Sequence, residues 1–215
     1  MARPRGDIAP RILHAARKRF LAEGVDGASL RAIAGDARTS IGMIYYYFPS
    51  KDDLFLAVVE EIYVGLLDKL ESALDGTRPV IERLHALYQQ LGALSADERD
   101  VVRLVLREVL ASPARLERLL ALFRRGHIPL LLDLVRDAVA TGVFRGDVPV
   151  GLLLAAVGAL GGPAQLLLGA MEGRLPPALI PRADGRSAAL VDLLLHGVAQ
   201  PARGARAKTR RGPSP

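Results

Sequence analysis

The chain has 215 residues, 50% of them hydrophobic and 24% charged, so it is long enough to bury one core or two subdomains that share one. It contains no cysteine, which excludes disulfide bonds and thiolate metal sites. Its four histidines are scattered without metal-ligand spacing, so we expect neither a metal nor a cofactor.

The net charge of +6 is unevenly distributed along the chain. Residues 1–60 hold nine basic and seven acidic residues, whereas residues 199–215 hold five basic residues and no acid. Because residues 201–215 lack large apolar side chains, we expect a disordered basic tail there. Such a tail either adds non-specific attraction to DNA or only raises solubility. No apolar run follows the N-terminus, so we expect no secretory signal and a cytoplasmic protein.

The first predicted element is a helix that follows a basic arm at residues 1–7. Asp7 is placed to cap this helix, and Gly24 marks its end. Between them, apolar residues recur at the i, i+4, i+8 spacing of one helix face, namely Ile12, Ala16 and Phe20.

Residues 29–48, SLRAIAGDARTSIGMIYYYF, are the most informative stretch of the chain. They predict two short helices joined by a tight turn, with Ser40 as the N-cap of the second helix. The small contact between the helices is predicted to consist of Ile33, Ala34, Ala37 and Ile44. This pattern is typical of a helix-turn-helix, whose second helix enters the DNA major groove. Two packed helices without DNA binding are the alternative.

Helical segments also fill the middle of the chain. Pro49 ends the second short helix, and Ser50 with Asp53 resembles a capping box for the next. Thr77 is a candidate cap further on. We find no alternating strand pattern, internal repeat or glycine-rich phosphate loop. The sequence therefore predicts an all-α protein of nine or ten helices, with long helices at 51–74, 79–94, 97–111, 113–125 and 127–141.

An uncharged run of 24 residues extends from Val148 to Met171 and is long enough to span a membrane. Pro149, Pro163 and Gln165 interrupt it, and no aromatic belt flanks it. A buried helix or helix pair, kinked near residues 161–163, explains this composition better.

The N-terminal pattern resembles the DNA-binding domain of the TetR family of transcriptional regulators over about residues 8–60. The resemblance implies a three-helix helix-turn-helix DNA-binding domain at 8–55, carried by a helical ligand-binding and dimerisation domain at 56–200. It also implies a homodimer in which helices at about 149–171 and 187–199 pack against their copies. The matching residues are Ile12, Ala16, Phe20, Gly24, Ser29, Ile33, Ala34, Ala37, Gly42, Tyr45, Tyr47, Phe48, Ser50, Lys51 and Leu54.

The residues predicted to contact double-stranded DNA fall into three groups. In the resembled family, residues aligned with Ile41, Met43 and Tyr46 face the groove, where the first two suit thymine methyl groups. Residues aligned with Tyr45 and Lys51 hold phosphates, although Lys51 also fits a plain solvated lysine. The third group, predicted from position alone to contact phosphates, bases or a neighbouring minor groove, is Arg3, Arg5, Ser29, Arg31 and Ser40.

Two positions depart from the family pattern. Arg38 stands where a glycine is usual, so a non-glycine residue is expected to adopt a left-handed conformation unless the turn differs. Ile41 stands where a basic residue is common, which removes one expected charge. Next to the DNA-contacting tyrosines, Tyr47 and Phe48 are expected to belong to the core, because they fall on the inner side of the helix.

The resemblance also implies a cavity for an unknown small molecule in the C-terminal helices. Leucine and valine dominate these helices, which fits an apolar or amphipathic ligand or a plain core. Polar residues that could orient a ligand are His85, Tyr88, Arg107, His127 and Gln165, although each also fits a surface or core role.

These features predict a dimeric repressor that binds an inverted-repeat operator and is released by its ligand. No nucleophile–base spacing, paired carboxylates or metal cluster supports an enzyme. A small-molecule carrier and a membrane-associated helical protein remain the alternatives.

Overall fold

The computed structural model describes residues 7–176, 178–180 and 182–197, which form eleven helices and no strand. The helices are α1 (Ile8–Gly27), α2 (Leu30–Asp36), α3 (Ile41–Tyr47), α4 (Lys51–Ala73), α5 (Val80–Gly92), α6 (Ala96–Ala111), α7 (Pro113–Phe123), α8 (His127–Ala140), α9 (Val150–Gly161), α10 (Pro163–Met171) and α11 (Ala183–His196). The all-α prediction is confirmed.

Helix α1 follows the predicted pattern, with its buried face formed by Ile12, Ala16 and Phe20. Gly24 breaks the helix with φ of 80°, a left-handed conformation that glycine adopts without strain, and one further turn follows it. The predicted cap at Asp7 is wrong, since that carboxylate makes no cap hydrogen bond. Instead it lies 3.8 Å from Arg11 Nε, one turn along the helix.

Serine side chains cap several of the following helices. The Ser50 hydroxyl accepts the Asp53 N–H at 3.1 Å and lies 2.6 Å from its carboxylate, as the capping pattern predicted. Ser95 and Glu98 form a complete capping box at the start of α6. Thr77 does not cap α5, because it bonds back to the Asp75 carboxylate within a turn and Pro79 occupies the N-cap position.

The predicted count of nine or ten helices is one or two below the eleven found in the described residues, and the segment predicted at 149–171 as a helix or a helix pair is a pair. Gly162 adopts φ −101° and ψ −71° between them, and Pro163 starts α10 at a position that needs no backbone N–H. The predicted 187–199 helix instead begins at Ala183 and ends at His196, where Gly197 adopts φ of 71°.

Two apolar clusters form the core. One joins α1–α3 to the first half of α4, α6 and α7, and the other joins the rest of α4 to α5, α8, α9 and α11. Helix α4 belongs to both, so it runs from the N-terminal helices into the C-terminal body. The stretch Val150–Met171 has the length and hydropathy of a membrane span, and 22% of its most apolar window is buried, so the predicted burial of this stretch is not found within the single chain.

Candidate DNA-binding surface and internal cavity

The contact between α2 and α3 is the small apolar seam that the sequence predicted. Ile33, Ala34, Ala37 and Ile44 are all at least 96% buried. The Ser40 hydroxyl accepts the Met43 N–H at 3.3 Å and so caps α3, as predicted. Alanines at two of these positions allow the helices to approach closely.

The turn between α2 and α3 contains the expected left-handed residue. Arg38 has φ of 52° and is the single non-glycine residue with positive φ in the described part of the chain. Its exposed side chain lies beside a shallow surface depression that His14 and Lys18 also line. The turn therefore keeps the helix-turn-helix geometry and adds a positive charge next to it.

Helix α3 presents large side chains to solvent. Tyr45 is 52% exposed, Tyr46 is 77% exposed and Ile41 is 37% exposed. Met43 is half-buried beside them, whereas Tyr47 and Phe48 pack against the core cluster as expected. An exposed aromatic pair on a short helix carries apolar area that a partner surface can cover.

The other residues predicted to contact DNA lie around this helix. Ser29 and Arg31 are exposed at the start of α2, and the Ser29 hydroxyl makes no cap hydrogen bond. Ser40 is exposed at the start of α3. Arg3 and Arg5 lie outside the described residues.

Lys51 makes contacts within the protein in addition to its predicted contact with DNA phosphate. Its Nζ donates to the backbone oxygens of Asp26 at 2.9 Å and Ala28 at 3.2 Å. These carbonyls end α1, where a cation is favoured by the helix dipole. The contact with phosphate remains a prediction.

An ion pair braces the outer side of the helix-turn-helix. Arg19 Nε on α1 lies 2.6 Å from the Asp36 carboxylate at the end of α2, and Arg19 also bonds Glu23. The Arg19 hydrogen bond holds the pKa of Asp36 below its usual value. The two helices are thereby held together on a face that the apolar seam does not cover.

A polar network joins the N-terminal helices to α6 and α7. Arg115 on α7 bonds Glu108 on α6 at 2.6 Å, Asp52 at the start of α4 at 3.0 Å, and Asp26 near the end of α1. Glu108 also accepts the Val25 N–H at 3.3 Å. The hydrogen bond from Arg115 lowers the pKa of Asp26.

Helix α6 makes a second contact with α1. Arg107 donates to the carbonyl of Leu21 at 3.1 Å and to that of Phe20, which are left open by the break at Gly24. Arg107 was predicted to orient a ligand, but this contact occupies it at the junction with the N-terminal helices.

A cavity of about 210 Å³, partly open to solvent, lies in the C-terminal body, between α4, α5, α6, α7, α8 and α9. Among the described residues that line it, three carry polar side chains, and these are Tyr63, Glu98 and His127. The rest of its lining is apolar or glycine. The cavity thus suits an apolar molecule that makes very few polar contacts.

Tyr63 and His127 form a close pair at this cavity. The Tyr63 hydroxyl lies 2.9 Å from His127 Nδ1 and accepts the backbone N–H of the same histidine at 3.0 Å. Burial lowers the pKa of His127 to about 4, so its ring is neutral at physiological pH. Burial also raises the pKa of Tyr63.

Of the five residues predicted to orient a ligand, the structure brings His127 to the cavity and the other four elsewhere. Tyr88 is fully buried, and its hydroxyl donates to the Val157 carbonyl at 3.1 Å. Gln165 donates to the carbonyls of Tyr88 and Gly161. His85 is half-buried on α5, outside the cavity lining. Tyr88 and Gln165 were expected to orient a ligand, but their side chains donate hydrogen bonds to backbone carbonyls instead.

Sequence reasoning missed Tyr63 and Arg115. Tyr63 shares the i, i+4, i+7 face of α4 with Val59 and Leu66, so a hydroxyl on an otherwise apolar face was the available signal. Arg115 had no comparable signal, since its partners are up to 89 positions away. The described residues contain no group of histidine and acidic side chains able to hold a metal ion.

Sequence comparison bears on the N-terminal helices in particular. Residues 12–58 match the family model described as bacterial regulatory proteins, tetR family. The chain is 46% identical over 54 residues to the HTH-type transcriptional repressor NicS of Pseudomonas putida, which covers 25% of this chain and 26% of that one. It is 27% identical over 143 residues to the HTH-type transcriptional regulator UidR of Escherichia coli, and the aligned region covers 64% of this chain and 69% of UidR.

The fold of most of this chain is also found in solved structures. The transcriptional regulator FadR from Bacillus subtilis, solved in complex with stearoyl-CoA, superposes with a TM-score of 0.71 over 88% of this chain and 99% of that one. The two are 17% identical, so the likeness concerns the fold alone. The first curated relatives are matched over a quarter to a half of their own length.

Proposed function

We propose that this chain, which belongs to the TetR family of bacterial regulatory proteins, is a dimeric repressor that binds an inverted-repeat operator and is released by a small apolar ligand. The observation that carries the proposal is the surface of α3. Tyr45 and Tyr46 stand 52% and 77% exposed on a helix that a buried seam and a capped turn hold rigidly. Such a helix suits the DNA major groove.

The proposed contacts divide by chemistry. Ile41 and Met43 offer apolar contact to thymine methyl groups, and Tyr46 reaches the groove edge. Phosphate contacts come from Tyr45, Lys51, Ser29 and Ser40. Arg31 reaches a base or a phosphate, and Arg3 and Arg5 enter an adjacent minor groove.

The first experiment is selection of bound duplexes from a random DNA pool at physiological salt. We expect an enriched inverted repeat whose half-site spacing reports the separation of the two α3 helices in the dimer. Tyr45→Ala is expected to abolish the enrichment without changing stability, whereas Val64→Ala, also an exposed apolar residue, serves as the control. Recovery of unselective, salt-sensitive binding alone would contradict operator recognition.

The proposed dimer interface is the exposed apolar face of α9, α10 and α11. Leu152 and Leu167 are 63% and 62% exposed, and Ala188 and Ala189 expose small side chains on α11 that permit close helix packing. Burying this surface against a second copy removes apolar area from water without requiring a lipid environment.

The interface is tested with the double variant L152E/L167E. We expect it to sediment as a monomer and to lose operator affinity, because two half-sites are no longer held together. Leu110→Glu, which changes an 89% exposed leucine on α6, is expected to stay dimeric. A wild-type chain that is monomeric at micromolar concentration would contradict the dimer.

The proposed release mechanism uses the helices shared by the cavity and the N-terminal contacts. Helices α4 and α6 line the cavity with Val59 and Val105. Arg107 on α6 bonds a carbonyl of α1 directly, whereas Asp52 on α4 bonds Arg115, which also bonds Asp26 on α1. A ligand that favours the arrangement unable to fit the operator needs a preference of about 1–3 kcal/mol to weaken binding 5- to 150-fold. Repression is supported by the name of the relative NicS.

Two rival functions are separated by simple measurements. The apolar stretch Val150–Met171 is also consistent with a membrane-associated protein, and such a protein would partition into detergent or membranes on expression. A carrier without operator binding would pass the partition test but enrich no duplex. We propose a cytoplasmic, non-enzymatic regulator, which remains in solution as a dimer and enriches an inverted repeat.

A further inference from the structure

The polar groups of the cavity are unequally available to a bound molecule. Glu98 accepts Lys69 Nζ at 2.7 Å with one oxygen and the Ser95 N–H at 2.7 Å with the other. Burial raises the pKa of Glu98, but these hydrogen bonds outweigh that effect and hold it below its usual value. Glu98 is therefore an ionised group whose charge Lys69 already balances, and its oxygens serve the start of α6.

The tautomer of His127 follows from the contacts of Tyr63. The Tyr63 hydroxyl oxygen accepts the His127 backbone N–H, and its own proton needs an acceptor because the side chain is buried. Among the described residues, the acceptor within reach is His127 Nδ1 at 2.9 Å. A neutral imidazole that accepts at Nδ1 carries its proton on Nε2.

This arrangement leaves one neutral donor at the cavity. None of the described residues is recorded as accepting a hydrogen bond from His127 Nε2, and His127 is one of the residues that line the cavity. The Tyr63 hydroxyl donates its single proton to His127 Nδ1, and each Glu98 oxygen already accepts one hydrogen bond, from Lys69 or from Ser95. A bound molecule thus meets apolar walls and the Nε2–H of a histidine held in place by Tyr63.

The size of the cavity sets a second constraint. A dry cavity of about 150 Å³ accommodates benzene. At that packing, the 210 Å³ found here takes a molecule of about 8 or 9 non-hydrogen atoms without rearrangement. A long acyl chain would extend beyond this cavity.

Charge completes the description of the ligand. No lysine or arginine is among the described residues that line the cavity, so a carboxylate placed there would lose its hydration without gaining a cationic partner. A neutral acceptor such as a carbonyl loses less hydration and gains the hydrogen bond from His127 Nε2.

We propose that the cavity binds a compact, uncharged, apolar molecule with one carbonyl-type acceptor, which His127 Nε2–H recognises. This inference deepens the proposed ligand-controlled function and rests on it for its biological meaning. The binding itself is a property of the cavity and is measured without DNA.

The test compares three probes of one skeleton: acetophenone, which has a neutral carbonyl, cumene, which replaces the oxygen by a methyl group, and benzoate, which is an anion. Dissociation constants are measured by calorimetry on the full-length protein. We expect acetophenone to bind about 3- to 10-fold more tightly than cumene, the range that one neutral hydrogen bond supplies, and benzoate to bind most weakly.

His127→Leu is expected to remove the preference for acetophenone over cumene while cumene still binds, which shows that the cavity remains folded. His196→Leu, on an exposed histidine at the end of α11, is the matched control and should keep the preference. Tyr63→Phe frees Nδ1 to carry the proton, so we expect it to reduce the preference partially.

Each other outcome overturns the inference. Equal or tighter binding of cumene, tighter binding of benzoate, a preference that survives in His127→Leu, or no binding of any probe would contradict the assigned ligand class. Operator binding is measured separately. If duplex selection succeeds and the probe series fails, only this inference is lost; if the probe series succeeds and selection fails, the proposed regulator is lost and the site remains.

Discussion

Nη1 of Arg115 lies 2.6 Å from Oε2 of Glu108, and both side chains are buried where α6 and α7 meet the N-terminal helices. The same arginine bonds Asp26 and Asp52, so one guanidinium connects α7 to α6, α1 and α4. The bidentate geometry of arginine suits such a junction better than lysine does. The junction joins cavity-lining helices to the helix-turn-helix.

Arg115→Met is therefore expected to lower the free energy of unfolding by about 3 kcal/mol, because the buried Glu108 then keeps only Arg107 as a cationic partner, and the Arg107 side chain is 39% exposed. Urea unfolding measures the effect. Arg118→Met, on the same helix, removes a solvent-exposed pair with Asp53 and should cost about 1 kcal/mol or less. Equal losses in the two variants would show that the junction contributes no more than a surface ion pair.

Lys51 combines a structural contact with a predicted phosphate contact, and Lys51→Met separates them. Loss of its bonds to the carbonyls of Asp26 and Ala28 should cost about 1 kcal/mol of stability. If the ammonium group also reaches phosphate, the salt slope of operator binding falls by about one. A stability loss with an unchanged salt slope would restrict Lys51 to the structural role.

Position 126 requires glycine because any larger side chain would clash with Tyr63. A Cβ at this position would lie 2.0 Å from the Tyr63 hydroxyl oxygen. Gly126→Ala should therefore displace Tyr63 and destabilise the protein by roughly 1–3 kcal/mol. Gly65→Ala, where a Cβ meets nothing within 4 Å, should be neutral or stabilising.

Combining Gly126→Ala with Tyr63→Phe tests the cause. Because the second change removes the clashing oxygen, the double variant should lose less stability than the sum of the single changes. Additive losses in thermal or urea unfolding would mean that the alanine disturbs something other than Tyr63.

His127 is expected to make stability depend on pH in a defined window. Its pKa is lowered by burial to about 4, below the value of about 6.5 in an unfolded chain, so the unfolded state binds more protons between these values. The contribution of neutral His127 to the free energy of unfolding is therefore fully present above pH 6.5. It is lost as the pH decreases toward 4, which lowers the free energy of unfolding by up to about 3 kcal/mol.

Urea unfolding at a series of pH values measures this slope, and His127→Leu should flatten it. His196→Leu should leave the slope unchanged from wild type. A wild-type slope that persists in His127→Leu would assign the dependence to other groups.

Much of the fold could be predicted from the sequence because its signals are local. The apolar spacing of Ile12, Ala16 and Phe20, the cap at Ser40 and the left-handed turn at Arg38 each depend on residues within a few positions. Helix–turn–helix geometry follows from such short-range constraints. The same local logic failed at Asp7 and Thr77, where a neighbouring charge or turn offered the side chain another partner.

The site depended on contacts that local patterns do not encode. His127 was predicted as a polar residue of interest, but its partner Tyr63 is 64 positions away, and Arg115 and Asp26 are 89 positions apart. Which side chains meet across packed helices depends on crossing angles and on the volumes of the residues between them. The sequence by itself determined the helices and the helix-turn-helix, whereas only the tertiary structure decided the neutral donor at the cavity and the ionic junction, because both are formed between helices.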